Sequence, residues 1–534
     1  MKRAVPVLAV SLAISMVVGA CASMRPGGRD LVAKAVSAQG GADALIAVKT
    51  ISYKATVRQW EPEQSAVAGG EMRLANDATL VSVTDVATGA TRHDWVRSFQ
   101  YPAPRTFTFS EVVTAQAGYV AGIDSNSRTK QSREANPPAH SMSGLRLAAA
   151  QRELLRSSPV LALEMSKSPD RVTPAPAATI GGTRHPAVDY RVGNQTFTVA
   201  FDPATGLPAR VRTLDYDNIW GDVTYDLVLA DWQAVGGARV PMSRKYELNG
   251  RTVMDVKLTE AKVNEPIAAD RLAIPASFLT AAPRPATGTV PYQWIIRRQF
   301  IGIYLDSDHP SYDRQASPGL RLQELAPGVQ HVVGGSHNSL IVEMNDHVIV
   351  FDAPVSDWQS NWTISAARGK YVKKPVKYLV LTHHHMDHAG GLRAYADAGA
   401  TIVTGKGTAA HFRRVLAAPF ARNPDLSASD LSRTPIVEVT GKHVLGDGTR
   451  QVELHLIEPN PHAEGLLIGY LPDARLGYVT DIWSPGPGPL PERLTPNLAA
   501  LVAGVKKAGI SPAKFAGGHG SSAEYAPLAA LEGK

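Results

Sequence analysis

The stretch Thr382-His383-His384-His385-Met386-Asp387-His388-Ala389-Gly390-Gly391 sets a His-x-His-x-Asp-His arrangement within six residues. It follows the apolar run Val376-Lys377-Tyr378-Leu379-Val380-Leu381, which reads as a buried strand, so the arrangement sits where a strand gives way to a loop. Imidazole and carboxylate donors suit zinc, iron or manganese, and a loop can fold several of them around one point. Single ligand-capable residues recur downstream at His462, Asp481 and His519, each beside a strand-like run. Of 16 histidines, 12 fall between His331 and His519, so the enrichment is regional. Two cations about 3.5–4 Å apart can clamp an oxygen-rich transition state, and a bound cation lowers the pKa of water from 15.7 to about 7. One histidine alone would carry little weight; seven ligand-capable residues beside strand ends point to hydrolytic metal chemistry.

This pattern resembles the metallo-β-lactamase superfamily of metal-dependent hydrolases over roughly residues 318–525. The resemblance implies that His383, His385 and His462 ligate a first metal and Asp387, His388 and His519 a second, with Asp481 as the bridging carboxylate. It further implies two zinc ions per chain, with iron and manganese as alternatives. Asp387 and Asp481 are then the catalytic acids that hold a hydroxide between the metals. Asp352, ending the strand-like Val348–Phe351, resembles the family's supporting acid. His337, in Gly334-Gly335-Ser336-His337-Asn338, falls in a loop that borders the active site in the family, which suggests substrate contact as one reading. Three further histidines read as bystanders. His384 should turn away from its neighbours, His347 should occupy a solvated hairpin turn, and His455 should lie on a strand surface.

Lys2 and Arg3 precede an apolar run that ends in Val18-Gly19-Ala20-Cys21. A basic start, a short hydrophobic region and small residues make a secretory signal over residues 1–20. Cys21 is the sole cysteine, and its setting resembles the lipobox of bacterial lipoproteins, which implies lipidation and a tether over 21–30. The expected location is the periplasmic side of the cell envelope, on the outer membrane because Ala22 replaces the inner-membrane aspartate signal; a soluble periplasmic or secreted protein is the alternative. Lipid chains would then supply the membrane contact. With no other cysteine, neither an internal disulfide nor a thiolate ligand is available to the mature chain. The formal charge of +7 is scattered, without a basic stripe, so nucleic acid is excluded as a partner and a small molecule is expected as substrate.

Two textures divide the mature chain into an α+β multidomain protein. Residues 31–280 read as a mainly antiparallel β domain, with strands at Ile51–Trp60, Gln195–Phe201, Trp220–Asp231 and Val253–Leu258, and an amphipathic helix at Leu145–Leu163. This half weakly resembles periplasmic lipoprotein-carrier folds. Residues 281–317, rich in Pro, Ala and Thr at their start, read as a linker. In 318–534, helices at Gly391–Ala398, Thr408–Ala417 and Asn497–Ala508 alternate with strands at Thr401–Thr404, Ile436–Val439, Gln451–Glu458 and Gly465–Leu471. That order fits the αβ/βα sandwich of the metallo-β-lactamase type. Only 15 residues follow His519, so the rim of the pocket must come from short loops or from the N-terminal domain. Ser484–Pro491 could form a stiff lip over the metals. The functional expectation is hydrolysis of an ester, lactone, amide or related bond by a hydroxide held between two metals. A mononuclear iron dioxygenase of the same fold, or a non-catalytic envelope carrier, are the alternatives.

Overall fold

The computed structural model describes residues 27–101, 104–124, 137–268, 270–279, 292–301, 319–335, 337–423, 426 and 430–533. The signal segment, Cys21 and most of 281–317 lie outside the described residues.

The N-terminal half is built on one 13-stranded sheet in which every pairing is antiparallel. The chain starts at the centre with Thr50–Glu61 and meanders outward to the edge strand Ala139–Ser141. It then crosses to the opposite edge at Val172–Ile180 and meanders back until Arg251–Val263 pairs with Thr50–Glu61. Strand Thr50–Glu61 shows why a sheet forms: Ala55, Val57, Gln59 and Glu61 are buried while Lys54, Thr56 and Arg58 are exposed. That alternation is the two-residue period of a strand with one wet face. At Gly236-Gly237, φ angles of 57° and 90° allow the tight turn that joins Gly221–Val235 to Ala238–Leu248.

The crossing carries two helices, Gly144–Arg156 and Leu161–Lys167, instead of the single helix expected from Leu145 to Leu163. Ser157-Ser158-Pro159 separates them, because proline brings no backbone donor and disfavours helix at the residue before it. The first helix is capped by the Ser143 hydroxyl, which accepts from the Arg146 amide at 3.2 Å.

The stretch 281–317 is more than a linker. Tyr292–Ile301 forms a helix with Trp294, Ile295 and Ile296 buried, packed against Gly144–Arg156 and the central strands. Its buried residues, Gln293 to Arg297, are consecutive and show no helical spacing, and the Pro-rich sequence before them favours a linker reading.

The C-terminal half stacks a seven-stranded sheet on a six-stranded one, with helices outside both. Leu340, Phe351 and Val380 of the first sheet meet Leu454, Leu467 and Tyr478 of the second in a buried layer. Helix Asp357–Lys370 covers one outer face, and Pro496–Ala508 covers the other through Leu501, Val502 and Val505. This is the four-layer αβ/βα sandwich expected after a mainly antiparallel β domain. Helix Asp357–Lys370 is not expected from the sequence, because the face it buries, with Gln359, Ser360 and Thr363 beside Ile364 and Ala367, is largely polar and shows no apolar stripe.

Candidate metal centre

The seven candidate ligands converge at the ends of strands from both C-terminal sheets. His383 and His385 follow Val376–Val380, and Asp387 and His388 lie on the one-turn helix Met386–Ala389. His462 precedes Leu467–Leu471, Asp481 follows Leu476–Val479, and His519 follows Lys514–Gly517. His383, His385 and His462 form one compact donor group, while Asp387, His388 and His519 belong to a second. Asp481 stands between them. Its Oδ1 is 2.9 Å from His519 Nε2, and its Oδ2 is 2.8 Å from His388 Nε2, 3.4 Å from His383 Nε2 and 3.6 Å from His462 Nε2. Asp481 adopts φ of 53°, a conformation uncommon for a residue with a side chain and concentrated at functional sites.

The chemistry of these donors fits a cation. His388 Nδ1 donates to Asp352 Oδ2 at 2.9 Å, which turns Nε2 toward the centre; against the effect of burial, the carboxylates of Asp481 and Asp352 hold this imidazole well above its ordinary pKa. His385 Nε2 faces the Ser65 carbonyl at 2.9 Å, which places its proton on Nε2 and leaves buried Nδ1 without a partner. Yet His383 Nε2 and His462 Nε2 are 3.2 Å apart, as are His388 Nε2 and His519 Nε2. At such distances each pair can share one proton, and a cation among the nitrogens would draw on both lone pairs instead. Burial holds the imidazoles of His383 and His385 well below their ordinary pKa, so they remain neutral donors. Nitrogen and oxygen donors without a thiolate suit zinc, iron or manganese.

Asp352 is the anchor beneath the centre. It accepts from the Thr382 amide at 2.8 Å and the Thr382 hydroxyl at 2.9 Å as well as from His388. It is fully buried and, like Asp481, has a positive φ, of 59°.

The bystander histidines are not exposed. His384 is buried, and its Nε2 contacts the same Ser65 carbonyl at 2.9 Å. His347 is buried against Tyr378, with Nδ1 2.6 Å from Asp346. His455 is buried and meets Glu453 at 2.9 Å. Local alternation, for His384 and His455, and a hairpin turn, for His347, carry no information about a neighbouring layer. His337 is drawn into the centre: its Nε2 is 3.0 Å from Asp387 Oδ2, and its ring lies 4.4 Å from that of His519. It joins Asp387, His388 and His519 in one four-donor group.

A segment of the N-terminal domain that sequence reasoning missed closes over this centre. Residues 62–72 connect Thr50–Glu61 to Arg73–Asp85 and form a strap against the metal-site loops. Besides the Ser65 carbonyl, the Gln64 carboxamide donates to Asp387 Oδ1 at 2.7 Å and accepts from the Tyr101 hydroxyl at 2.7 Å. Ala66 accepts from the Glu464 amide at 2.9 Å, and Arg73 donates to the His462 carbonyl at 2.6 Å while lying over the Tyr101 ring. Glu61-Pro62-Glu63-Gln64-Ser65 looks like an ordinary polar hairpin turn, and its backbone contacts leave no trace in residue type. His383, His385 and His388 are fully buried, whereas the side chains of His462, His519, Asp387 and Asp481 are 9–16% exposed. The opening to solvent is therefore on the side of those four.

Comparison with known proteins bears on the C-terminal half. Residues 332–523 match the sequence model of the metallo-beta-lactamase superfamily. No curated protein matches the chain. Among solved structures, the stereoselective inverting sec-alkylsulfatase Pisa1 of a Pseudomonas species is 18% identical over 38% of this chain and 39% of its own, with a TM-score of 0.29. The metallo-beta-lactamase of Pontibacter korlensis is 17% identical over 40% of this chain and 100% of its own, at TM-score 0.30, and that of Hirschia baltica is 18% identical over 39% and 94%, at TM-score 0.30. This chain thus spans about two fifths of the alkylsulfatase's length. The C-terminal region of this chain carries a metallo-beta-lactamase superfamily domain.

Proposed function

We propose that the protein is a hydrolase that uses two metal ions, zinc foremost, to cleave an ester, lactone, amide or related bond of a small molecule. The observation that carries this reading is Asp481, set between two groups of imidazoles that converge on its carboxylate. Bound at these two groups, the cations would supply a nucleophile at neutral pH and polarise the oxygen of the scissile bond. Asp387 and Asp481 would orient the attacking oxygen, as the two carboxylates on the open side. The strap would act on the same groups: the Ser65 carbonyl holds the tautomer of His385, and Gln64 limits the rotation of Asp387. Specificity would then depend on Gln64, Tyr101 and Arg73 at the seam between the domains, which makes the N-terminal domain part of the catalytic unit.

Elemental analysis of the purified full chain tests the reading. Near two zinc per chain supports it, about one iron favours a dioxygenase, and no tightly bound metal favours a carrier. His337 offers a sharper check. Its contact with Asp387 predicts that His337→Ala weakens the second metal by about 10–100-fold and spares the first, the usual effect of removing a group that orients a ligand. Chelator competition with zinc and with cobalt would read both sites, and equal weakening of the two would refute that assignment.

Export as a lipoprotein through Cys21, facing the periplasm from the outer membrane, is part of the same proposal. No helix among the described residues is long and apolar enough to cross a membrane. Incorporation of labelled palmitate into the wild-type chain, lost in Cys21→Ser, would support the anchor; no incorporation would favour the soluble form.

A further inference from the structure

A cavity of about 400 Å³ lies in the N-terminal domain, between the helix Gly144–Arg156 and the sheet. It occupies the opposite end of the central strands from the metal centre. Tyr53, on its wall, and Glu61, where the strap begins, are ends of one strand, about 26 Å apart at the usual rise. A smaller chamber of about 110 Å³ adjoins it and shares Tyr53, His93, Val113, Leu154 and Arg244 as walls.

Among the described residues, three polar side chains on this wall each carry a buried atom with no hydrogen-bond partner. Arg244 is 5% exposed, its Nε has no hydrogen bond, and the contact the structure gives its guanidinium is the Tyr53 ring, 4.8 Å away. Ser82 is fully buried with its hydroxyl unpaired, and His93 Nδ1 is likewise unpaired. Ser82 and His93 form a cross-strand row with Tyr53, whose ring the Arg244 guanidinium overlies. The neighbouring arginines are differently placed. Arg146 meets Glu111 at 2.5 Å and Asp124 at 2.6 Å, and Arg152 meets Asp215 at 2.7 Å. A guanidinium does not lose its proton, so a buried one without a carboxylate calls for an anion from outside. Of the acids lining the two chambers, Glu111 is engaged by Arg146, Glu153 by Arg152 and Arg156, and Glu164 has its pKa raised by burial, so none is ion-paired with Arg244. The remaining wall is apolar, through Ile51, Val86, Val113, Leu154 and Leu155.

We propose that this cavity is a second binding site, which takes an amphiphile with a carboxylate head against Arg244 and Ser82 and an apolar chain along Leu154 and Val113. The site is independent of the metal centre, so the chain would hold a hydrolytic site and a separate site for an acyl-type anion in one body.

Calorimetric titration of the full chain with sodium decanoate, below its micelle concentration, tests this. Saturable binding of one decanoate per chain is expected, with decyltrimethylammonium, equal in chain length but opposite in charge, failing to bind. Arg244→Met should weaken decanoate binding by about tenfold or more, since the contact is a charge-assisted pair in a buried setting. If Arg244→Met does not fold, Ser82→Ala decides, with an expected loss of about fivefold for one hydrogen bond. His385→Ala should bind decanoate as the wild type does, which separates this site from the metal reading. Absence of saturable decanoate binding, equal binding of the ammonium compound, or unchanged affinity in the variant that folds would each overturn the proposal.

Discussion

Replacing His385 with alanine is expected to abolish hydrolysis of a chromogenic ester such as p-nitrophenyl butyrate and to lower the tightly bound metal by one equivalent. His385 contributes the buried, unpartnered Nδ1 of the first donor group. An alanine there leaves His383 and His462 as the imidazoles of that group, too few to retain a cation against solvent. A lost cation removes both the activated nucleophile and the stabilisation of the developing oxyanion, so the rate should fall by more than about 10³-fold. The N-terminal sheet, with its own buried strands, should keep its fold and its circular-dichroism signature. His384→Ala is the matched control. It removes the other imidazole on the Ser65 carbonyl without touching a donor group, so its metal content should stay near wild type. Undiminished ester hydrolysis by metal-depleted His385→Ala would end the metallohydrolase reading.

The two variants also mark how far the sequence could be read. His383, His385, Asp387 and His388 declare themselves because a short motif after a buried strand is local information. His462, Asp481 and His519 are legible because each follows or precedes a strand, and strand ends of a layered sandwich gather at one edge. The strands themselves follow from alternation, as at Gln195–Phe201 and Ile436–Val439, where the expected bounds agree with those of the fold. What stayed hidden is whatever depends on a distant layer. Ser65 acts through its carbonyl oxygen, which every residue possesses, so no side chain could announce it. His337 was placed near the site, but the second sheet brings it onto Asp387. His347, in its hairpin turn, and His455, along its strand, look wet and are buried by other elements. Tyr292–Ile301 is concealed by the Pro-rich segment ahead of it, which makes the whole of 281–317 read as a linker; the helix it leads into buries the charge of Arg297.

That charge makes the second large prediction. Arg297 is buried and reaches three carboxylates: Glu61 at 2.9 Å, Glu63 at 2.9 Å and Asp217 at 2.7 Å. Burial pushes Glu63 well above the ordinary carboxylate range, even against the attraction of Arg297. Burial also acts to raise Asp217, but there the guanidinium prevails and holds it at about 2. Glu61 and Glu63 sit at the root of the strap, so Arg297 ties the helix Tyr292–Ile301 to the segment that contacts the candidate metal ligands. Arg297→Met leaves buried acids without their cation and should cost about 3–5 kcal/mol, the usual effect of removing one partner of a buried pair. The pH dependence separates charge from packing. In the wild type, the depressed pKa of Asp217 contributes stability that is present above its unfolded value and is lost as pH falls toward about 2. In the variant, the acids take folded pKa values above their unfolded ones, so stability is retained at low pH and lost as pH rises through those values. Urea denaturation at pH 5 and pH 8 should therefore give the larger deficit at pH 8. An equal deficit at both would assign the loss to packing of the helix, and wild-type stability at both would show that the cluster does not hold the strap. Because Ser65 and Gln64 are two and one residues beyond Glu63, the same variant should also release zinc to a chelator faster than wild type at pH 8.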